Sequence, residues 1–225
     1  IYEHQPGGAV QSTLDLIFAN KDLITLDPNE IDNFNIVIYN DAYKIICGKE
    51  KWNPTTRQSA DHSMVYILST LLRKAMETGP DLLNNVTSTD DLWKKLMLDP
   101  YDYSPDAISN PVTRILMDKM TIEYGGKEFA DKYPEGIPTL MTISYKDKVL
   151  NSGFMMFPGG HARNTTADLH DILNHKFNLF GELALDDEEL YPFIANLQNL
   201  ENLTNKDLRG LYHCNIKYAE KSIDD

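Results

Sequence analysis

The 225-residue chain contains only two cysteines, Cys47 and Cys214. Two thiols are too few for a zinc ribbon or an iron–sulfur cluster, each of which needs several thiolate ligands. The sequence permits one disulfide between them, although low cysteine usage is typical of a reducing intracellular compartment. The histidines show no HExxH or comparable metal-ligand spacing. The sequence therefore predicts a protein without a bound metal or cluster.

Positive charge is also scarce, with 21 Lys and Arg against 34 Asp and Glu, a net charge of −13 and an isoelectric point near 4.8. Such a surface repels phosphate, so nucleic acid and anionic membranes are not expected as partners. No stretch reaches the roughly 18 apolar residues of a membrane span, and no signal peptide is visible. Because the chain begins with Ile1, we expect it to be a piece of a longer protein.

Hydrophobic residues make up 42% of the chain, which is enough for a packed core. Apolar periodicity and turn residues define the expected elements. Helices are predicted at 8–20, 63–78, 89–98, 110–120 and 165–180, and strands at 34–40, 120–124, 138–145 and 148–157. Residues 41–60 are expected to be a loop. Helices at both ends around a few strands predict an α+β fold with a small antiparallel sheet.

The segment "RQSADHS" brings polar residues directly before an apolar helical run. Ser59, Asp61 or Ser63 suits a helix cap, because each can accept a hydrogen bond from the free N–H groups of the first turn. A cap does not require Arg57 or His62. A helix N-terminus with an arginine and a histidine beside it also suits a carboxylate ligand. The sequence leaves both interpretations open, with the cap favoured.

The residues before this segment form a locally basic loop in an acidic chain. Between 44 and 61 there are four cations and two anions, namely Lys44, Lys49, Glu50, Lys51, Arg57 and Asp61. This composition is compatible with a cradle for a polycarboxylate and equally with a solvated loop. Tyr43 precedes the loop and follows a predicted strand. A phenol at that position can donate a proton or orient a carboxylate, although most such tyrosines only pack.

Two further places carry candidate ligand-binding residues. The segment "FPGGHARN" puts His161 and Arg163 between a predicted strand and a helix, where paired glycines let a backbone approach a ligand closely. The alternative there is a tight turn that ends at the helix cap Asn164. His4 lies just before the first predicted helix, and a lone histidine in such a place is usually a surface residue. The glycines do not form a nucleotide-binding pattern.

Several segments, in the same order along the chain, resemble the MmgE/PrpD family. They are "EHQPGGAVQSTLDL", "TTRQSADHSMVYILSTLL", "IPTLMTISYKDKVLNSGFMMFPGGHARN" and "ILNHKF". The resemblance covers roughly residues 1–180. It departs from the family pattern at the hairpin turn, which has no glycine, and at Ala162, where family members often carry proline.

The resemblance implies a domain organisation. The family combines a large helical domain with a smaller α+β lid, and this chain resembles its carboxy-terminal part. Residues 1–20 would then belong to the helical domain, 21–165 to the lid, and 166–225 to helices that return to the helical domain. A homodimer formed through the helical domain is implied in the same way, as is a mitochondrial matrix location, with the cytoplasm as the alternative.

The resemblance also implies a chemistry, the metal-independent elimination of water from a small tricarboxylate without a cofactor. Tyr43 and His62 would then be catalytic. The residues that would bind the substrate are His4, Arg57, Asp61, Ser63, His161 and Arg163, with Lys176 a weaker candidate. The general base would lie in the upstream part of the longer protein, so this piece alone is expected to be inactive.

Two other functions remain open on the sequence. One is a decarboxylase of the same family, which would act on cis-aconitate and needs a similar polycarboxylate pocket. The other is a non-catalytic binding or dimerisation module, because a lid cannot supply a base that it does not contain.

Overall fold

The computed structural model describes residues 6–218. Contacts divide the chain into two units, and the division falls between Ala167 and Asp168. This point lies two residues from the boundary that the sequence predicts at 165/166. Each unit has its own hydrophobic cluster.

The first unit is built on a four-stranded sheet. Its strands are β1 (Ile31–Ile38), β2 (Met120–Tyr124), β3 (Thr139–Tyr145) and β4 (Lys148–Met155), in the spatial order β2-β1-β3-β4. The α+β fold is confirmed. The prediction of an antiparallel sheet is wrong at one edge, because β1 pairs with β2 in parallel while the β1–β3 and β3–β4 pairs are antiparallel. The long chain segment between β1 and β2 permits this, since parallel strands need a crossover connection.

One face of the sheet is covered by helices. Alternate residues of β1, namely Phe34, Ile36 and Ile38, are buried, and so are Met141 and Ile143 of β3. The intervening residues of both strands are half-buried or exposed. This period of two is the pattern expected for a sheet with one face against the core.

Eight helices of the described residues belong to the first unit. They are α1 (Gly7–Ala19), α2 (Asn40–Ile46), α3 (Arg57–Asp61), α4 (Met64–Thr78), α5 (Thr89–Leu96), α6 (Pro105–Ser109), α7 (Pro111–Asp118) and α8 (Gly126–Ala130). Short 3-10 helices lie at Lys21–Thr25, Pro28–Glu30, Lys49–Trp52, Gly79–Leu83 and Pro100–Tyr103. The predicted helices that correspond to α1, α4, α5 and α7 are confirmed.

The prediction that 41–60 is a loop is wrong. It contains α2, the 3-10 helix Lys49–Trp52 and α3. These elements are too short to show a helical period, and tertiary contacts rather than propensity hold such pieces in place. Trp52 Nε1–H donates to the carbonyl of Cys47 at 3.3 Å, and the side chain of Thr56 caps α3 by accepting from Ser59 N–H.

Helix α4 lies at the centre of the core. Met64 to Leu72 are all buried, because the helix has neighbours on every side, including α1, α5 and α7. The Ser63 side chain caps its N-terminus by accepting from Tyr66 N–H. Gly79, with φ of +62°, ends the helix in a conformation that favours glycine.

A polar cluster ties α4 to the 3-10 helix Pro100–Tyr103. The Lys74 ammonium lies 2.5 Å from a carboxylate oxygen of Asp102, and the Arg73 guanidinium lies 3.9 Å from the other oxygen. The Tyr66 hydroxyl donates to the Asp102 carbonyl. All four residues are largely buried, so the removal of the Asp102 carboxylate would leave the Lys74 ammonium without its anionic partner in a low-dielectric environment.

Helix α1 packs directly against the sheet. The family resemblance implies a separate helical domain for residues 1–20, and in the structure α1 groups with the first unit, in contact with β3 and β4. The approach is closest at Gly8. A Cβ atom there would lie 2.3 Å from Thr139 Oγ1 and 2.8 Å from the Ile137 carbonyl oxygen. Only glycine therefore allows this spacing.

The second unit contains α9 (Leu169–Gly181), α10 (Asp187–Gln198), the 3-10 helix Leu200–Asn202 and α11 (Asn205–Gly210). The predicted helix at 165–180 corresponds to α9, which begins four residues later. The cluster of buried residues in this unit is small and consists of Leu185, Leu190 and Ile194. Across residues 6–218, no helix is long and apolar enough to cross a membrane.

The close approach of α1 to β3 gives a stability prediction. Gly8→Ala should destabilise the protein by about 1–3 kcal/mol, because the new methyl group collides with a backbone carbonyl that cannot move aside by rotation. Gly7→Ala is the matched control in the same helical turn. Its Cβ would meet the flexible end of the Ile137 side chain at 3.3 Å, so we expect little loss. Chemical denaturation measures both, and equal losses would contradict this account.

The cysteines allow a second prediction. Both thiols are free, and burial raises the pKa of Cys47 to about 12. Because the thiolate is the reactive form, iodoacetamide at pH 8.5 should leave Cys47 of the folded protein unmodified. Under denaturing conditions the same residue should react fully. Mass spectrometry of the labelled peptides tests this, and rapid labelling of folded Cys47 would show that its surroundings open readily.

Candidate functional site

The ends of four strands form one edge of the sheet. The last residues of β1 and β2, Ile38 and Tyr124, are paired with each other, and Ile38 is also paired with Thr139 at the start of β3. Thr139 is in turn paired with Met155 at the end of β4. We call this row of four residues the carboxyl edge, because it lies at the carboxyl ends of the parallel strands β1 and β2. Sites in sheets with parallel strands commonly lie outside such an edge.

The C-terminus of α4 lies near the end of the sheet opposite to the carboxyl edge. The 3-10 helix Gly79–Leu83, which follows α4, packs against the 3-10 helix Lys21–Thr25. That helix is held at the opposite edge by the Lys148–Asp22 ion pair, at the start of β4. Helix α4 therefore ends near this opposite end of the sheet, and its 15 residues span about 22 Å.

The N-terminus of α1 lies at the carboxyl edge. Gly8 is packed against Thr139, the β3 member of the edge row. The Gly159 N–H donates to Gln11 Oε1 at 3.2 Å, so the loop after β4 is also fixed here. The connections around the carboxyl edge thus carry most of the residues that the sequence singled out.

Asp61 and His62 form a directly bonded pair. The His62 Nδ1 atom contacts an Asp61 carboxylate oxygen and lies 3.0 Å from the Gln58 carbonyl oxygen. Both partners are acceptors, so Nδ1 carries the proton and Nε2 of the neutral ring is the basic nitrogen. The two side chains are 33% and 44% exposed, which leaves the pair accessible. A carboxylate that orients a histidine in this way is the arrangement used in general-base catalysis.

The contact with His62 bears on the role predicted for Asp61. The sequence proposed it as a substrate-binding residue, whereas its carboxylate is engaged by the His62 ring. We assign it to the orientation of His62. A carboxylate is also a poor contact for an anionic substrate, because like charges repel.

Ser63 is a cap rather than a substrate contact. It has no exposed surface, its Oγ donates to the Lys51 carbonyl at 2.5 Å, and the same oxygen accepts from Tyr66 N–H. The prediction that Ser63 binds substrate is not supported by this position, and the cap interpretation of the segment is confirmed for this residue. The bond to Lys51 also fixes the basic loop to the start of α4.

The cations of the basic loop have no acidic partners among the described residues. Elsewhere Lys74, Lys94, Lys127, Lys146 and Lys148 form ion pairs. No such pair within residues 6–218 involves the loop cations, which are Lys44, Lys49, Lys51 and Arg57. Four unpaired cations within fourteen residues leave a local excess of positive charge in an acidic protein. That charge favours an anionic ligand.

Two tyrosines flank the turn from β1 into α2. Tyr43 is on α2, 41% exposed, so its phenol is accessible as the sequence proposed. Tyr39, one helical turn earlier, is 1% exposed and stacks on Tyr133 with ring centroids 4.6 Å apart. The sequence analysis did not single out Tyr39. Tyr39 stands at the end of the apolar run of the predicted strand, and this position is typical of a core residue.

His161 and Arg163 occupy the loop after β4. The Arg163 N–H donates to His161 Nδ1 at 3.1 Å, so the neutral His161 ring carries its proton on Nε2. This is the opposite tautomer to that of His62. The Arg163 guanidinium is paired with Glu135 at 3.2 Å and so holds two loops together. A purely substrate-binding role for Arg163 is therefore not what the geometry favours.

The remaining predicted residues are not brought into this group. His4 lies outside the described residues. Lys176 belongs to α9 in the second unit. The cap predicted for Asn164 is observed as a turn, in which its side chain accepts from Thr166 and Ala167 N–H.

Within the described part of the chain, no three or more His, Cys, Asp or Glu side chains are grouped so that they could hold a metal ion. Comparisons of the chain with protein-family models and with curated proteins find no match.

The two histidine tautomers can be tested directly by 15N NMR of the imidazole nitrogens. In the wild-type protein, His62 should show a protonated Nδ1 and His161 a protonated Nε2. Asp61→Asn should raise the Nε2–H population of His62, because an amide can donate to Nδ1 where a carboxylate only accepts. His161 is the internal control and should not change. An unaltered His62 spectrum would show that Gln58 alone fixes its tautomer.

Proposed function

We propose that this chain is the carboxy-terminal part of a hydro-lyase of the MmgE/PrpD type, a 2-methylcitrate dehydratase. The reaction removes water from 2-methylcitrate to give 2-methyl-cis-aconitate, a step of propionate catabolism. The proposal includes the mitochondrial matrix as its location and a homodimer formed through the helical domain that the resemblance implies.

The observation that carries this proposal is the position of the Asp61–His62 pair beside the basic loop. The pair supplies an oriented proton acceptor. The loop supplies unpaired cations, with Arg57 at the start of α3 and Lys51 bonded through its carbonyl to the cap of α4. A tricarboxylate carries three negative charges, so it needs several cationic donors close to a base.

The chemistry requires one proton acceptor and one proton donor. A base removes a proton from the carbon beside a carboxylate, and the C–H electron pair forms the new double bond as the C–O bond breaks. The departing hydroxyl takes a proton and leaves as water. His62 Nε2 is suited to accept a proton, and the exposed Tyr43 phenol is suited to donate one. The rest of the longer protein would complete the site.

The charge of Arg57 is tested by calorimetric titration of the full-length protein with 2-methylcitrate and citrate. Arg57→Ala should weaken binding by about tenfold or more, because it removes a charge-assisted contact. Lys21→Ala is the matched control. It removes one exposed positive charge from the 3-10 helix at the opposite edge, so it should leave the affinity unchanged. Equal losses of affinity in the two variants would contradict a specific contact and show that Arg57 acts only through its general electrostatic effect.

The role of His62 is tested by turnover. His62→Gln should lower kcat by about 100-fold or more, the range of general acid–base catalysis, while the thermal midpoint stays near that of the wild type. The product decides the reaction class. An unsaturated acid without CO2 supports dehydration, whereas release of CO2 from cis-aconitate would replace this proposal by decarboxylation. A full-length protein that neither binds nor converts these acids would overturn it and favour a non-catalytic module.

A further inference from the structure

In the described part of the chain, Arg114 on α7 is bonded only to neutral oxygen atoms. Its Nε–H donates to the Ile108 carbonyl at 2.9 Å, and its Nη1 and Nη2 atoms donate to Asn53 Oδ1 at 3.0 Å and to the Pro54 carbonyl at 2.7 Å. No ion pair within residues 6–218 involves Arg114. An arginine is always charged in a protein, so this guanidinium keeps a positive charge that no paired carboxylate neutralises.

Two of these three bonds hold the basic loop. Asn53 and Pro54 are 61 and 60 residues from Arg114 in sequence, and they lie between the loop cations Lys51 and Arg57. Within residues 6–218, no other hydrogen bond joins Asn53 or Pro54 to a separate helix or strand. The bonds of Arg114 therefore fix this stretch of the loop to the first unit.

The helix that carries Arg114 is part of the packed core. Thr113, Leu116 and Met117 of α7 are buried, and α7 packs against α4. Its N-terminus is capped by the Asn110 side chain, which accepts from two backbone N–H groups of the first turn. Since three bonds fix the planar guanidinium and the core fixes α7, the loop is attached to a support that moves little.

A fixed loop favours the binding of an anion. A loop that had to be ordered during binding would lose affinity, because ordering costs free energy. Like charges in one short segment also repel one another, so bonds to neutral groups have to hold them together. The bonds of Arg114 meet both requirements, and the residue adds a further positive charge next to the loop.

We propose that Arg114 is a positioning residue of the candidate anion site, which holds the basic loop in its binding conformation through Asn53 and Pro54. The identity of the anion, a small tricarboxylate, rests on the proposed function. Arg114 lies outside the segments that carry the family resemblance, and the sequence alone does not show its contact with the loop.

Lys95 on α5 offers a matched control. Its ammonium donates to the carbonyl of Leu82 at 2.9 Å and to the carbonyl of Asn84, and the segment 82–84 contains no cation. Lys95→Gln therefore removes the same kind of bond and the same charge from a segment that carries no candidate site residue.

The first test needs no ligand and uses hydrogen–deuterium exchange of the full-length protein. In Arg114→Gln and Arg114→Lys, the amides of 49–56 should exchange about tenfold faster or more, because the loop opens locally without its bonds to α7. Lysine keeps the charge but lacks the planar fork, so it should not restore protection. In Lys95→Gln the same amides should be unchanged. Unchanged exchange in both Arg114 variants would overturn the inference.

The second test measures the affinity for citrate and 2-methylcitrate by calorimetry, together with the turnover of 2-methylcitrate. Both Arg114 variants should weaken binding by about threefold to tenfold, the effect of having to order about one side chain during binding. KM should rise by the same factor while kcat changes by less than about twofold, because the loop cations contact the substrate and the transition state alike. Lys95→Gln should change neither constant, even where it lowers the thermal midpoint as much.

The outcomes separate the inference from the proposed function. Faster exchange with unchanged affinity in the Arg114 variants overturns the inference alone, because Arg114 would then be a structural residue. Wild-type affinity in Arg114→Lys alone also overturns it and shows that only the charge matters. A wild-type protein that binds neither acid overturns the proposed function and, with it, the site that Arg114 would position.

Discussion

The parallel pairing of β1 with β2 is the constraint on which the rest of the first unit depends. Two parallel strands cannot be joined by a hairpin. The chain therefore has to leave the sheet at the end of β1 and return to the opposite end, where β2 begins. Residues 39–119 make this return, and they contain α2 to α7. Since the crossover starts where β1 ends, its first elements lie at the carboxyl edge. The basic loop, Asp61 and His62 all belong to this crossover, so the topology rather than any attraction between them brings them into one segment.

The same topology explains how an acidic protein keeps a positive region. In a chain of net charge −13, several cations find a carboxylate nearby, as Lys127 and Lys148 do. No ion pair within residues 6–218 involves the cations between 44 and 57, and the backbone around them is fixed by other bonds. Trp52 holds the turn after α2, and Ser63 holds the carbonyl of Lys51. The loop is therefore preorganised with its charges unneutralised, which lowers the free energy needed to bind an anion.

Much of the fold could be predicted because it is encoded locally. Helix α4 has a 15-residue apolar pattern, a serine cap at Ser63 and a terminating Gly79, and each feature is visible in the sequence. Helices α2 and α3 were missed because seven and five residues show no period, and their stability comes from contacts distant in sequence. The parallel β1–β2 pair was missed for the same reason, since short strands do not encode their partners.

The candidate site was predictable in composition but not in the roles of its residues. The segment around 57–63 can be singled out from its residue types, yet a sequence cannot show that Asp61 bonds His62 while Ser63 turns inward to cap α4. These roles depend on the break between α3 and α4. Ser63, with ψ of 107°, leaves the helical region between the two helices and so reorients the chain before α4 begins. If α3 and α4 formed one continuous helix, Ser63 would lie inside it and could not cap its start. The interruption thus provides both the cap and the oriented histidine, so cap and site are two consequences of one change in chain direction.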